Sequence, residues 1–301
     1  MTTTKVLTLG SLNLDFIYRV DHIVAPGETI DAADVRTRCG GKGLNQAIAL
    51  ARAGAPSALA GIVGEDGGAL LDACRDAGVD VSGVRTAAGR TGHAIIQVDG
   101  GGQNSIILFG GTNRAVTQDY IDEALDGYDE GDLIVLQNEI NMLPQVIAAA
   151  AARGMRIVLN PSPYDGRIDE CDLGLVWLFF VNEIEGEQLT GEGDPARMLD
   201  VFAERYPKAN VVLTLGSEGA VAQFGGERFE QPVIPTTVVD TTGAGDTFTG
   251  FFLAEYLRGG DVVRAMITAA QASSIAVSRA GAAPSIPSLD EVRGALEARA
   301  E

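Results

Sequence analysis

Residues 238–252 read VVDTTGAGDTFTGFF. A β-branched pair leads into Asp240 and two threonines, then Gly243-Ala244-Gly245, a second acid at Asp246 and an apolar run. The pattern predicts an extended segment, a turn through glycine-permitted conformations, and a helix from about residue 246 to 258. The first N–H groups of a helix lack intrahelical partners and carry the positive end of its dipole. A Gly-Ala-Gly turn ahead of them leaves those amides open to an anion. An acid inside an anion site repels the anion, unless it takes a proton from whatever attacks that anion. The stretch therefore points to phosphoryl transfer, with Asp246 as general base and the amides of Gly243, Ala244 and Gly245 as the anion hole.

Three other glycine loops compete with this reading. A dinucleotide fingerprint follows the first strand and needs a small third residue where Phe248 stands. A methyltransferase loop opens its domain, whereas this turn lies at residue 243 of 301. A P-loop needs Gly-Lys-Ser/Thr, but Lys42 is followed by Gly43. A tight strand-to-helix turn with no ligand would also account for the glycines.

Outward from this stretch, short β-rich runs alternate with helical periodicity. Strands are expected at 5–10, 58–64, 132–137, 156–160, 176–181, 211–216 and 220–224. Helices are expected at 43–54, 67–77, 143–154, 183–190, 195–206, 261–279 and 288–299. Apolar strands separated by helices predict an α/β fold, a mainly parallel sheet covered on both faces. Segments 14–38 and 91–109 instead alternate apolar and polar residues, and DGGGQN (99–104) reads as a hairpin turn. They predict a small β-sheet projecting as a lid from a single domain spanning 1–301.

The chain carries 41 acidic and 22 basic residues, a formal charge of −19. A surface of that sign repels nucleic acid and anionic membranes, so neither is an expected partner. An anionic substrate must then be held by backbone amides, a cation, or one of only three lysines, Lys5, Lys42 and Lys208. The cysteines Cys39, Cys74 and Cys171 are scattered, and with no signal-peptide pattern they fit a reducing, cytoplasmic setting. Two isolated histidines, His22 and His93, offer little material for a histidine metal centre.

A second glycine patch, CGGKGLNQAIALARAG (39–54), surrounds Lys42 with Gly40, Gly41 and Gly43 and places Asn45 at a helix start. In GSLNLDF (10–16), Asn13 and Asp15 lie two apart, on one face of a strand and suited to the paired hydroxyls of a sugar. With PGET (26–29), GQNSI (102–106), GGTN (110–113), LQNE (136–139), NPSP (160–163), NEIE (182–185), TLGSEGA (214–220), DTTGAGDTFTG (240–250) and SRAGAAPSIP (278–287), the chain resembles the ribokinase (PfkB) family of carbohydrate and nucleoside kinases.

That resemblance covers nearly the whole length. It implies a ribokinase-like three-layer sandwich with a β lid, dimerised through the lid. It also implies ATP-dependent phosphorylation of a sugar's primary hydroxyl, with Asp246 as base. Ribose is the first substrate expected; fructose, deoxyribose, 2-keto-3-deoxygluconate and nucleosides are alternatives, and a non-catalytic sugar-responsive binder is a third reading. By the same resemblance, Asn13, Asp15, Gly41, Lys42, Asn45 and Glu139 hold the sugar. Asn182 and Glu185 lie near the phosphates of ATP, with Glu185 reaching Mg²⁺ through water. Thr214, Leu215, Gly216, Ser217, Glu218 and Gly219 flank the nucleoside, and Gly245 meets the phosphates. Asp240, Thr242, Ala276, Arg279, Gly281 and Ser285 match a K⁺ site built mostly from carbonyls. Phe251 and Ala270 depart from the usual family residues, placing the packing behind the anion hole and the base contacts in question. No clustering of Arg36, Arg38, Arg52 and Arg90 suggests a clamp for a phosphorylated sugar.

Overall fold

A computed structural model describes residues 4–300. In chain order, the strands of the main sheet are β1 (Val6–Leu9), β4 (Ala58–Val63), β5 (Asp80–Thr86), β8 (Leu133–Gln137), β9 (Arg156–Asn160), β10 (Val176–Asn182), β11 (Asn210–Thr214), β12 (Ala220–Phe224) and β13 (Glu227–Gln231). Four others make the second sheet: β2 (Asn13–Arg19), β3 (Asp34–Gly40), β6 (Gly92–Val98) and β7 (Asn104–Phe109). The helices are α1 (Lys42–Arg52), α2 (Gly68–Asp76), α3 (Gln118–Ala124), α4 (Leu143–Ala152), α5 (Glu183–Thr190), α6 (Pro195–Arg205), α7 (Ala244–Gly259), α8 (Val262–Val277) and α9 (Leu289–Ala300).

The main sheet runs β13-β12-β11-β10-β9-β8-β1-β4-β5. All neighbours from β11 to β5 are parallel, and β12 and β13 are added antiparallel at one edge. Alternation along each strand sorts the core into two layers. Leu133, Val135, Val158, Leu178, Phe180 and Val212 pack with α1, α2, α7, α8 and α9. Ile134, Leu136, Ile157, Leu159, Phe179 and Val211 face the opposite layer, with α3 to α6. The expected α/β architecture, a mainly parallel sheet between two helical layers, is the one observed.

Three elements were not expected. β5 has the half-exposed pattern of a sheet edge, and β13 (ERFEQ) is a polar edge strand, so neither has the apolar run that marks a buried strand. Helix α3 is only seven residues long, and its Thr117 cap accepts the Tyr120 N–H at 3.3 Å. Helix α7 also begins two residues earlier than its apolar periodicity suggests, because Gly243 takes a left-handed cap at φ 77°.

The alternating segments form the small sheet, in the order β3-β2-β6-β7. β2 and β6 are parallel, and the other two pairings are antiparallel, including the β6–β7 hairpin. The strands extend slightly past the expected bounds, to Asn13 and Gly40, so the small sheet joins directly to the segment that opens α1.

One close approach sets the two glycine patches side by side. A Cβ on Gly250 would fall onto Ala49 and within 2.7 Å of the Leu50 N, so α7 lies directly against α1. Glycine is required there by contact rather than by backbone torsion. Among the described residues, no helix is long and apolar enough to cross a membrane.

Candidate active site

Polar residues gather at the carboxyl ends of the parallel strands, the edge at which open α/β sheets bind ligands. Gln137 on β8 is in register with Asn160 on β9, and Asn182 on β10 with Thr214 on β11. Above them opens a cavity of about 220 Å³ lined by Lys42, Asn160, Asn182, Glu185, Thr214 and the residues from Gly243 to Asp246, with others. A larger groove of about 690 Å³ lies between residues 164–174 and the ends of α5 and α6, but none of the quoted motifs lines it.

Asp246 sits in the first turn of α7, only 8% exposed. Asn45 Nδ2 donates to its Oδ2 at 2.9 Å and Gln46 Nε2 to its Oδ1 at 2.9 Å. Gln46 is oriented in turn by Gln137, whose Nε2 donates to Gln46 Oε1 at 2.7 Å. The carboxylate is thus fixed by two amides from α1, brought within reach by the α1–α7 contact.

The amides before it divide in use. The Ala244 N–H closes a turn onto Thr241 O at 3.2 Å, and the Thr247 N–H bonds Gly243 O at 2.9 Å. Among the described residues, the N–H groups of Gly245 and Asp246 meet no protein acceptor. A Cβ on Gly245 would meet nothing within 4 Å, so space lies open over this helix end. Unpaired amides at a helix N-terminus beside open space make an anion-binding geometry.

Lys42 begins α1 and lines the same cavity. Burial alone would lower its pKa, but the carboxylates of Asp246, Glu139 and Glu185 outweigh burial and raise it. The lysine is therefore held charged, a cation inside a ring of acids. Glu139 follows the end of β8; it accepts from Ser11 Oγ and from the Lys42 N–H at 3.2 Å. Gly41 turns at φ 96°, and a Cβ there would press within 2.8 Å of Ser11 O and 2.9 Å of Asn13 N.

Asn13 and Asp15 both lie on β2, two residues apart, as expected. Asn13 is buried and its Oδ1 accepts from Asn113 Nδ2 at 2.7 Å; Asn113 Oδ1 also accepts the Leu12 N–H at 3.1 Å. Burial, and next the field of Glu139, push the Asp15 carboxyl up to about 7. Asp15, Glu139, Lys42 and Asp246 are thus electrostatically linked from the base of the small sheet to the α7 turn.

Asn182 and Glu185 form a capping box on α5. The Glu185 N–H donates to Asn182 Oδ1 at 2.9 Å, and the Asn182 N–H donates to Glu185 Oε2 at 3.1 Å. The ordinary role of a helix N-terminal acid is therefore real, and it aims a nearly buried carboxylate at the cavity. Residues Gly216–Glu218 form a 3-10 turn after β11, closed by the Leu215 N–H to Gly219 O at 2.8 Å; Thr214 lines the cavity, and Ser217 lies within the turn.

The segments around Asp240 and Gly281 also meet. Asp240 Oδ1 accepts from the Thr242 N–H at 3.0 Å and from Thr242 Oγ1 at 2.6 Å, and its Oδ2 accepts the Gly281 N–H at 2.8 Å. Burial raises the Asp240 pKa, but these donors and the Arg38 charge outweigh it and lower the value. The Arg279 side chain turns away to Glu291 at 2.5 Å, and Ser285 Oγ donates to Ala282 O at 2.8 Å. The Ala276 carbonyl accepts the Arg279 N–H at 3.0 Å.

Gln46, Gln137, Asn160 and Asn113 belong to these networks although their sequence positions alone suggested no role. Each stands inside a quoted motif, which was the available signal. Phe251 is fully buried in the core and Ala270 packs against the same layer, so neither lines the cavity. Arg36 pairs with Asp34 at 2.8 Å, Arg52 donates to Ala283 O at 3.1 Å, and Arg90 faces Asp66 at 3.8 Å.

The chain is similar to known carbohydrate kinases over almost its full length. Residues 3–289 match the pfkB family of carbohydrate kinases. The ribokinase of Staphylococcus aureus (strain COL) is 35% identical over 96% of this chain and 99% of its own. A deoxyribokinase of Salmonella typhi is 30% identical, over 95% and 96%. The structure of Arabidopsis thaliana ribokinase complexed with ribose and ATP superposes with a TM-score of 0.85 at 31% identity, covering 97% of this chain and 98% of that one. Ribokinase from Cryptococcus neoformans in complex with ADP gives a TM-score of 0.83 at 30% identity, covering 97% and 99%. With the match running almost end to end, the chain belongs to the pfkB family of carbohydrate kinases.

Proposed function

We propose that this protein transfers the γ-phosphoryl group of ATP to the primary hydroxyl of D-ribose, giving ribose 5-phosphate. The observation that carries the reading is Asp246, held by Asn45 and Gln46 at the edge of a cavity roofed by unpaired α7 amides and facing Lys42. The ribokinases and the ribose and ATP complex among the relatives support the choice of sugar and donor.

In this mechanism Asp246 accepts the proton of the sugar hydroxyl as its oxygen attacks the γ-phosphorus. The unpaired N–H groups of Gly245 and Asp246, with Gly245 nearest the open space, stabilise charge on the transferred oxygens, and Lys42 adds a positive charge beside them. Asn13, Asp15, Gly41, Lys42, Asn45 and Glu139 bind the sugar hydroxyls. Asn182, Glu185 and the segment Thr214–Gly219 hold the nucleotide. Closure of the small sheet over the sugar keeps water from competing as the acceptor.

Glu185, which lines the cavity, would help to hold Mg²⁺ beside the ATP phosphates, where the ion would neutralise charge developing on them. The segments of Asp240, Thr242, Ala276, Arg279, Gly281 and Ser285 would hold a K⁺ ion, mostly through carbonyl oxygens, and the ion would fix the geometry of the neighbouring turn. The inward-held Asp240 carboxylate and the outward-turned Arg279 side chain agree with such a donor set. The lid also presents Ile95, Ile106, Ile107, Leu108 and Phe109 to solvent, an apolar surface suited to a second copy of the chain.

A coupled ADP-release assay over pentoses, hexoses, keto acids and nucleosides tests the reading. Ribose should give the highest kcat/KM; a nucleoside or deoxyribose ahead of it would overturn the substrate, and no sugar-dependent ADP release would overturn the reaction.

A further inference from the structure

Arg38 on β3 pairs in register with Asp15 on β2, yet its side chain does not answer that carboxylate. Asp15 lies over Gly40, where a Cβ would fall onto its carboxyl oxygens. The Arg38 side chain instead leaves the lid and reaches the segment after α8. A Cβ on Gly281 would fall onto Arg38 Nη1 and lie 3.1 Å from its Cζ and 3.6 Å from its Cδ. Gly281, at φ 91°, leaves that space as no other residue would. The same Gly281 donates its N–H to Asp240 Oδ2. Arg36, Arg52 and Arg90 all have partners, whereas Arg38 makes no ion pair or hydrogen bond among the described residues. A cation carried by the lid thus stands beside the acid that opens the Gly243–Gly245 turn.

We propose that Arg38 is a positioning residue, a tethered cation that the lid places at the Asp240–Gly281 junction, where it takes over part of the charge balance otherwise supplied by a free monovalent cation. The inference rests on reading that junction as a K⁺ site, made under Proposed function. A guanidinium is more weakly hydrated than an ammonium, which suits the half-buried position that Arg38 takes. Its field stabilises the bonded form of Asp240 and so the geometry of the turn beyond it. Like charges repel across such distances, so the same guanidinium weakens binding of a free cation. Because Arg38 is on β3, movement of the lid would also be felt at the turn.

The experiment compares the unmodified protein with Arg38→Ala and Arg38→Lys in two measurements. One is the shift in melting temperature caused by KCl against tetramethylammonium chloride at equal ionic strength, without sugar or nucleotide. The other is steady-state phosphoryl transfer with and without K⁺. Arg38→Ala should lower kcat about tenfold without K⁺, the effect of roughly 1.4 kcal/mol. K⁺ should restore most of that loss at a severalfold lower half-saturating concentration, and the KCl-specific melting shift should exceed that of the unmodified protein. Arg38→Lys should fall between the two, and it alone decides the question should the alanine variant not fold. Simple loss of packing would not increase a K⁺-specific stabilisation. Equal K⁺ responses in all three proteins would overturn the role of Arg38 and leave the cation site standing. Absence of a K⁺ response in every protein would overturn the cation site and, with it, the role of Arg38.

Discussion

Gln46 Nε2 lies 2.9 Å from Asp246 Oδ1, a bond between residues 200 positions apart in the chain. It is a donation from a fully buried amide to a nearly buried acid, and Gln137 fixes its direction from behind. A hydrogen bond to a charged group contributes roughly 1.5–3 kcal/mol. Gln46→Leu should therefore cut kcat on the order of tenfold to a hundredfold with a smaller change in the KM for ATP. Steady-state kinetics with both substrates varied would check this; unchanged kcat would mean that Asp246 needs no orienting partner.

Removing the base itself should cost more. General-base catalysis contributes about 10²–10⁴-fold, so Asp246→Asn should lose roughly that factor in kcat. The variant keeps the α7 amides and should bind ATP nearly as before by calorimetry. Near-normal turnover in Asp246→Asn would remove the base from the mechanism.

How much of the fold and site was legible in the sequence depended on the range of the interaction. The α7 turn was readable because its glycines, acid and apolar run are contiguous, and the small sheet because much of segments 14–38 and 91–109 alternates locally. β13 escaped because an edge strand such as ERFEQ is defined by its neighbour β12 rather than by its own hydrophobicity. The Asn45 and Gln46 bonds to Asp246 join distant segments and exist only because α1 and α7 touch. Arg38 stood only among four arginines without a clamp pattern, since its contact with Gly281 crosses more than two hundred residues of chain.

That helix contact is itself open to test. Gly250→Ala would put a methyl group onto Ala49 and against the Leu50 backbone, so α1 and α7 must separate. Overpacking of this kind costs about 1–3 kcal/mol. Denaturant titration should show that loss, and kcat should fall with it as Asn45 and Gln46 withdraw from Asp246. A variant with full stability and full activity would show that the close approach is dispensable.

The lid surface predicts an association. Ile107 is 61% exposed on β7, on the same face as Phe109 and as Ile95 opposite it on β6. Ile107→Asp would place a charge in a lid-to-lid contact, where an unpaired charge is costly to desolvate. Sedimentation should show the unmodified protein as a dimer and the variant as a monomer with a raised KM for sugar. A monomeric unmodified protein would remove the lid interface.

Asp15 sets an expected pH dependence. Its folded pKa, about 7, lies above the ordinary carboxylate value because of burial and then the Glu139 charge. Between about pH 4 and 7 the folded chain therefore holds a proton that the unfolded chain has released. The contribution of this group to stability is fully present below the unfolded pKa and is lost as pH rises through 7, so the ligand-free protein should lose stability over that window. Sugar hydroxyls donate best to the ionised form, so the KM for sugar should move in the opposite sense, rising as pH falls below about 7. Asp15→Asn should flatten both dependences and, at about pH 8, raise the melting temperature of the ligand-free protein while weakening sugar binding. Melting curves and KM measured from about pH 5.5 to 8.5 on both proteins would decide it: parallel profiles for the two would exclude Asp15 as the titrating group.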